Sequence, residues 1–505
     1  MLIAQWLPIF VVLPLFSAFF IYLFGSIFKK QARSFSDIFA NFITGILFLL
    51  SILALTEIAR PNHSLYFMGG WRPPLGILLV LDGLSALILL VITFIGFMAT
   101  IFSINYMEKF TAKHKFYALL FLMITGMIGV TLTGDLFNLF VFLEIATIAS
   151  YALVSFGTGQ EELEAGFKYM VMGEIGSLTI LLSIALLYAA TGTLNMADIS
   201  RVITGNGTKP FVLFSSVLFL IGFGIKAALI PFHAWLPDAH PSAPAPISAL
   251  LSGVLIKVLG VYALVRVFFN VFGMNPIVAN ILLFLAGLSM LIGVILQLGQ
   301  NDIKRLLAYC SISQVGYILL GFGLGTHLGI MGGLFHLLNH AVFKSLLFFN
   351  SGAIEYATGT RRMEKLGGLL GKMPLTGVSA FIGTFAASGV PPFNGFWSKL
   401  ILILAAIAAK QYLLAGIAGL AAILTLASFI RMQRRVFLGN RPENLNGIRE
   451  VPIGMTSPLI LLSILSLLSG VLILPGVRNI FLDLAQQAVL YGTNYANMIF
   501  GQGGF

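Results

Sequence analysis

Charged residues are scarce in this chain. Lys, Arg, Asp and Glu make up 9% of its 505 residues, whereas 58% are hydrophobic and the mean hydropathy is +0.99. A soluble globular protein carries about 25% charged residues, so the apolar surface here exceeds what one core could bury. The composition therefore excludes a soluble fold and predicts a membrane protein. The 53 glycines fit this class, because glycine lets membrane helices approach closely.

Cysteine is almost absent, with Cys310 as its single occurrence. One thiol excludes an internal disulfide and any multi-cysteine zinc or iron–sulfur site. The sequence also lacks a Walker loop, a dinucleotide fingerprint and a GxSxG elbow in the strand–turn–helix context that each requires. It therefore predicts no enzyme active site, no cofactor and no metal centre.

Long apolar runs account for most of the chain. A spanning helix needs about 20 predominantly apolar residues, and the runs predict about 14 such helices in an all-α polytopic membrane fold. The candidates are 3–25, 39–57, 78–103, 115–132, 135–156, 166–190, 211–235, 246–272, 276–297, 306–323, 328–354, 374–408, 411–432 and 455–475. The first run is too long for a signal peptide and has no basic start, so it is predicted to be the first membrane helix.

The net charge of +11 would suggest a nucleic-acid partner in a soluble protein, but here it is interpreted as orientation charge on loops. One set of alternating loops holds Lys29, Lys30, Arg33, Lys109, Lys113, Lys115, Lys304, Arg305, Arg361, Arg362, Lys365, Lys372, Arg434, Arg435, Arg441 and Arg449. The other set holds Arg60, Arg72, Arg201, Lys209, Lys410 and Arg478. The positive-inside rule makes the first set cytoplasmic and predicts that both termini lie outside.

Two proline-containing segments resemble each other and suggest an internal repeat. Pro231–Trp235 reads PFHAW and Pro392–Phe396 reads PFNGF, and upstream Tyr151–Gly157 is similar to Tyr317–Gly323. Halves of five helices each would enter the membrane with opposite polarity, as inverted repeats with a broken helix in each half. Ordinary proline kinks are the alternative. The predicted organisation is 1–114 for helices 1–3, 115–272 and 276–432 for the two repeats, and 433–505 for a cytoplasmic loop, the last helix and the tail.

Five charged residues interrupt the apolar runs, namely Glu144, Lys226, Lys257, Lys344 and Lys399. An ionised side chain in hydrocarbon costs several kcal/mol or more, so such groups are typical of ion and proton pathways. A lysine that gains and loses a carboxylate partner alternates between holding and releasing a proton. Glu144 and Lys226 are candidates for this exchange, Lys257 for a central relay and Lys399 for a terminal one. The alternative is a purely structural role, either as a static ion pair or in holding helices together.

Two histidines share a helix face with one of these lysines. His336, His340 and Lys344 recur every four residues, and histidine titrates near physiological pH, so the face could carry protons. Two histidines at this spacing also suggest a metal site, but no Asp, Glu or Cys lies nearby to complete one. The candidate cytoplasmic entrance follows the first broken segment, at His233, Asp238 and His240.

Three long segments carry a family resemblance. GDLFNLFVFLEIATIASYALVSF, HAWLPDAHPSAPAPISALLSG and NDIKRLLAYCSISQVGYILLG resemble the antiporter-like subunits of respiratory complex I and of Mrp antiporters. The likeness covers nearly the whole chain. GGWRPPLGILLVLD and GVPPFNGFWSKL are most similar to the D-type subunits of multisubunit Mrp Na⁺/H⁺ antiporters.

The resemblance implies fourteen helices, inverted five-helix repeats and assembly with other subunits in a prokaryotic cell membrane. It also implies roles for the charged residues. Glu144 and Lys226 would be the switching pair, Lys257 the central lysine and Lys399 the distal one. The residues that would line the connection between the halves are His336, His340 and Lys344.

The sequence therefore predicts a proton-translocating subunit of a multisubunit monovalent cation/proton antiporter, a transporter component rather than an enzyme. The first alternative is a proton-pumping subunit of a membrane-bound hydrogenase or NADH dehydrogenase, and the second is a membrane scaffold. The predicted partners are other subunits, the lipid bilayer and H⁺, with Na⁺ as a further candidate ion and no nucleic acid. Glu144 is the one acid placed deep in a helix, which favours protons here and Na⁺ in a partner subunit.

Overall fold

The computed structural model describes residues 2–28, 32–58, 63–110, 112–206 and 210–501. Its main helices and strands are α1 (Leu2–Ile27), α2 (Ala32–Glu57), β1 (His63–Phe67), β2 (Leu78–Asp82), α3 (Gly83–Tyr106), α4 (Lys113–Leu132), α5 (Leu136–Val154), α6 (Gln160–Thr191), α7 (Met196–Asn206), α8 (Pro210–Lys226), α9 (Leu236–Ser242), α10 (Ala245–Val271), α11 (Pro276–Leu298), α12 (Ile303–Leu324), α13 (His327–Thr358), α14 (Pro374–Ser388), α15 (Asn394–Ala408), α16 (Tyr412–Gln433), α17 (Ile453–Leu468), α18 (Pro475–Leu490) and α19 (Tyr495–Phe500).

The described part of the chain contains 12 helices long and apolar enough to cross a membrane. Three shorter apolar helices, α8, α14 and α15, lie in the two predicted segments 211–235 and 374–408. The predicted fold class, a predominantly helical polytopic membrane protein, is confirmed. The total of about 14 spans and the inverted relation of the two halves stay predictions.

Both predicted breaks interrupt a helix. α8 ends at Lys226, and the chain turns through 227–235 before α9 begins. α14 ends at Ser388, and Gly389 closes it with a φ of +84°, a left-handed conformation that glycine adopts without strain. A Cβ at Gly389 would also approach the Lys399 side chain to 2.9 Å. The second break therefore requires glycine both for its backbone turn and for the lysine beside it.

The start of the third membrane helix differs from the prediction. The segment predicted to begin a helix at residue 78 is strand β2, which pairs antiparallel with β1, and α3 begins only at Gly83. Asp82 ends the strand and caps the helix, because its carboxylate accepts from the Ser85 N–H while the Ser85 hydroxyl accepts from the Asp82 N–H. This reciprocal capping fixes the helix start at the residue where strand pairing stops.

The buried helices are those that carry most of the predicted site. The apolar stretch of α10 is buried along its whole length, and those of α12 and α13 nearly so, whereas much of α1, α2, α6 and α16 faces outward. α10 also winds as a π-helix over Leu251–Leu255, Lys257–Tyr262 and Arg266–Val271. Such widened turns are rare and recur at functional sites. The helix that carries Lys257 thus lies at the centre of the protein.

The orientation in the membrane stays a prediction. Four of the basic residues on which it depends lie outside the described residues, namely Lys29, Lys30, Arg60 and Lys209.

Candidate functional site

The polar face of α13 connects three helices. His336, His340 and Lys344 are all fully buried. The Nδ1 of His336 lies 2.9 Å from the Ser398 hydroxyl on α15, and its Nε2 lies 3.1 Å from the Gln314 side-chain oxygen on α12. The imidazole therefore joins α12, α13 and α15 through polar groups alone.

His340 differs from its neighbour in having no protein hydrogen bond. Within the described residues, neither of its ring nitrogens has a partner, although the ring is fully buried. Its centroid lies 6.4 Å from that of His336. Buried polar groups without protein partners ordinarily bond ordered water. His340 is thus the ring on this face that has no hydrogen-bond partner within the described residues.

Two buried lysines flank the histidine face, and neither contacts a carboxylate within the described ranges. The Lys344 ammonium donates to the Leu307 carbonyl at 2.8 Å, and Lys257 donates to the Ser252 carbonyl. Both side chains are 0–1% exposed. Both also lie within electrostatic range of His340, that is, close enough for a direct charge–charge interaction without a hydrogen bond. An apolar setting disfavours the charged form of an amine that lacks a counter-ion. The two lysines are therefore buried with backbone carbonyls as their hydrogen-bond partners.

Lys399 uses the second helix break. Its ammonium donates to the Ala387 carbonyl at 2.8 Å and to the Ser388 carbonyl at 3.4 Å, in the last turn of α14. It also lies 4.7 Å from the centre of the Tyr317 ring. The last carbonyls of a helix lack helical partners and carry partial negative charge. The break thus supplies a site for a cation where no carboxylate of the described chain makes contact.

The predicted ion pair between Glu144 and Lys226 is not formed in this conformation. Lys226, the last residue of α8, donates to the Ser177 hydroxyl of α6 at 2.7 Å. One carboxylate oxygen of Glu144 is buried and, within the described residues, unpartnered. Glu174, on α6, lies within electrostatic range of both residues. Lys226 therefore has two carboxylates near it and is bonded to neither.

The candidate entrance residues separate into an outer acid and two histidines. Asp238 lines a cavity of about 760 Å³ and pairs with Lys168 at 3.2 Å and Arg305 at 3.4 Å. His233 is half-buried, with its ring 6.4 Å from that of Tyr309. The cavity therefore reaches Asp238 with charged groups of both signs around it.

His240 lies deeper than the cavity. Its ring is fully buried, stacks on Phe348 at 4.6 Å and, in the described part of the chain, makes no hydrogen bond. It lies within electrostatic range of Lys304, Lys344 and Lys257. His240 is thus a buried ring that interacts with these lysines and is followed in the chain by the cavity-lining residues Pro241 and Ser242.

Two basic residues assigned to loops from the sequence are buried in ion pairs. Lys304 is 1% exposed, lies 2.9 Å from the Glu355 carboxylate and donates to the Ala243 carbonyl. Lys113 lies 2.6 Å from Asp37. The prediction that they are loop charges is wrong, because each occupies the first turn of a helix and faces another helix.

A further buried pair was not predicted from the sequence. Arg266 on α10 donates to both carboxylate oxygens of Asp82, at 2.7 and 2.8 Å, and both side chains are almost fully buried. The Tyr262 hydroxyl accepts from the same guanidinium, and Asn270 donates to the carbonyl of Ala488 on α18. The pair ties the strand hairpin to the far end of the central helix.

Comparison with known families identifies two matching profiles. The one described as "NADH:quinone oxidoreductase/Mrp antiporter, TM" matches residues 133–425. The one described as "NADH-Ubiquinone oxidoreductase (complex I), chain 5 N-terminus" matches residues 72–117. The first spans more than half of the chain.

Curated relatives match along most of their length. The D subunit of the Na⁺/H⁺ antiporter of Alkalihalophilus pseudofirmus is 36% identical over 433 residues, covering 85% of this chain and 87% of the relative. The N subunit of the NADH-quinone oxidoreductase of Desulforudis audaxviator is 38% identical over 410 residues, covering 80% and 81%. Both classes of complex anticipated from the sequence are thus represented.

Two solved structures share the fold. A chain of the Mrp complex from Dietzia sp. superposes with a TM-score of 0.89 at 27% identity, over 99% of this chain and 100% of that one. A chain of an archaeal respiratory membrane complex, the membrane-bound sulfane sulfur reductase, gives 0.89 at 33% identity, over 98% and 100%. The superfamily inferred from the sequence segments is confirmed by these matches.

Proposed function

Because the chain belongs to the NADH:quinone oxidoreductase/Mrp antiporter family of membrane subunits, we propose that it translocates protons within a multisubunit monovalent cation/proton antiporter. The observation that carries the proposal is the set of buried titratable groups on α10, α13 and α15, the helices that lie between and directly after the two helix breaks in the chain. Relatives named as antiporter D subunits and a chain of an Mrp complex support the choice of complex. As in those assemblies, the chain acts beside other subunits.

The proposed path begins at the cavity around Asp238. Protons pass to His240, which lies within electrostatic range of Lys344 and Lys257. From there they pass to Lys344, then to Lys257, and then to the His340 and His336 rings. The last step runs from His336 to Lys399, through the Ser398 hydroxyl that bonds the imidazole.

Ser398 and Lys399 both lie on α15, and Lys399 is close enough to His336 for a direct electrostatic interaction. Lys399 then holds the proton on the carbonyls at the end of α14. Within the proposal, 115–272 and 276–432 are the inverted halves, each with one break, and both termini lie outside the cell.

The Glu144–Lys226 exchange is proposed as the coupling step. In the present conformation Lys226 is bonded to a neutral hydroxyl, while Glu144 and Glu174 lie nearby. Movement of the lysine from Ser177 to a carboxylate would favour its charged form, and return would favour proton release. The exchange would link proton movement here to cation movement in a neighbouring subunit.

The function is tested by Na⁺-dependent proton movement in everted vesicles containing the assembled complex. Replacing Lys226 or Glu144 by Ala should abolish the pH response to added Na⁺ while the complex still assembles. Full exchange in both the Lys226→Ala and the Glu144→Ala complexes would contradict the proposal.

A redox-driven pump is the second candidate, favoured by the NADH-quinone oxidoreductase relative and the sulfane sulfur reductase neighbour. In that case, proton movement would require an electron donor and would not depend on a Na⁺ gradient.

Replacing Ser177 by Ala should alter the coupling without harming assembly. The substitution removes the hydroxyl that holds Lys226, and a hydrogen bond to a charged group contributes about 1.5–3 kcal/mol. Lys226 should shift toward the carboxylates, and Na⁺/H⁺ exchange should slow by about tenfold. Ser183→Ala on the same helix is the matched control, because it removes a buried hydroxyl bonded to the Ser215 carbonyl instead. If the two variants exchanged at equal rates, Ser177 would have no role in the coupling step.

A further inference from the structure

Three arginines surround a cavity at one end of α16. Arg431, Arg434 and Arg435 line a space of about 630 Å³, together with Glu364 and the backbone of 439–440. Arg431 is anchored on the Gln300 carbonyl. The arginines occupy the last turns of the apolar stretch to which α16 contributes, where a spanning helix leaves the hydrocarbon region. We therefore expect the cavity to lie at the depth of lipid headgroups.

The positive charge of this cavity is not neutralised within the described residues. In those ranges, none of the three arginines lies within 4.0 Å of a carboxylate oxygen. Glu364 instead accepts from the Asn301 amide at 2.8 Å, and Arg435 donates to the side-chain oxygen of the same Asn301 at 3.0 Å. The Arg434 side chain is exposed and makes no hydrogen bond in this part of the chain, and the Arg431 Nε is buried without an acceptor there. The cavity thus offers several unused guanidinium donors.

The rim of the cavity is apolar. Ile430 and Ala427 line it below the arginines, with Ile430 45% exposed, and the neighbouring Leu438 is 56% exposed. A guanidinium matches phosphate oxygens with paired donors, and basic pockets at helix ends bind anionic lipid headgroups. We propose that this cavity binds the headgroup phosphate of an anionic phospholipid, with Ile430 and Leu438 contacting its acyl chains. A free phosphate ion would leave these two side chains uncovered. A phospholipid contacts both the arginines and the apolar rim, so it is the occupant that fits the whole site.

The test is native mass spectrometry of the assembled complex in a neutral detergent, titrated with phosphatidylglycerol or with phosphatidylcholine. The wild-type complex should bind phosphatidylglycerol at the site and phosphatidylcholine much more weakly. Arg434→Gln with Arg435→Gln should lower the affinity for phosphatidylglycerol by about thirtyfold, the effect of removing two arginines near an anionic headgroup. Millimolar inorganic phosphate should not displace the lipid.

The matched control replaces two exposed basic residues away from the cavity, Lys372→Gln with Arg449→Gln, and should change the affinity less than about twofold. Three results would overturn the proposal. The first is equal lipid affinity of the two double variants. The second is displacement by inorganic phosphate, which would assign the cavity to a free anion. The third is a wild-type complex that binds no phosphatidylglycerol, as expected if an acidic segment of a neighbouring protein in the complex covers the arginines.

Discussion

Replacing Lys257 by Met is expected to reduce Na⁺/H⁺ exchange by about a hundredfold or more, the usual effect of removing a group that transfers a proton. Lys257 is 1% exposed, begins a π-helical stretch of α10 and lies within electrostatic range of His340 and Lys344. No other lysine in the described part of α10 could replace it. A proton delivered from His240 would lose its central carrier.

Assembly should survive the same substitution. Met has a similar length and fits an apolar setting, and replacing a buried charge that lacks a carboxylate partner by an apolar residue is often neutral or stabilising. The measurement is the Na⁺-induced pH change in vesicles, divided by the amount of assembled complex. Lys365→Met, at an exposed position at the end of the short 3-10 helix Met363–Lys365, is the control and should retain exchange. If Lys257→Met instead lowered assembly while the remaining complexes exchanged normally, the lysine would serve only to specify helix packing.

Replacing Arg266 by Leu should have the largest effect on folding. The substitution would leave the Asp82 carboxylate buried without its partner, and breaking a buried pair in this way costs about 3–5 kcal/mol. The free energy of unfolding of the full chain in detergent micelles should fall by that amount. Arg305→Leu is the control, because its 3.4 Å pair with Asp238 is partly exposed and should contribute less than about 1 kcal/mol.

A double variant separates the cost of the stranded charge from lost packing. Asp82→Asn added to Arg266→Leu removes the charge, while Asn can still cap α3. The double variant should therefore be more stable than Arg266→Leu alone. A double variant that is less stable than the single one would mean that the guanidinium contributes mainly through its contacts with Tyr262 and Asn270.

The membrane fold and its breaks were predictable because their signals lie along the chain. Apolar runs of spanning length report helices directly, and the two proline segments mark the interruptions found after α8 and α14. The periodicity of His336, His340 and Lys344 places them on one face in any α-helix. Strand β2 was not predicted because its first four residues, LLVL, are as apolar as the helix that follows.

The pairing of the charges was harder to predict because the partners are distant in sequence. Asp82 and Arg266 are 184 residues apart, and no local pattern connects them. Lys304 was assigned to a loop because it lies between two apolar runs, although it forms an ion pair with Glu355 on another helix. One signal was available, since Glu355 follows Lys344 by about three helical turns and so continues the polar face of α13.

The Glu144–Lys226 pair shows a different limit of sequence reasoning. Both residues were identified from their apolar surroundings, and the structure places Lys226 within electrostatic range of Glu144. The group to which Lys226 donates, however, is the Ser177 hydroxyl. Serine is common in membrane helices, so nothing in its local sequence distinguishes Ser177 from other buried serines.

Proton flux through a His340→Leu complex tests the central claim most directly. His340 makes no hydrogen bond within the described residues, so the substitution removes no protein hydrogen bond that holds the described helices together. Purified complexes in liposomes should assemble as the wild type does, yet lose both Na⁺-driven proton flux and the associated ²²Na⁺ uptake. Wild-type proton flux through the His340→Leu complex would contradict a proton path along this face of α13.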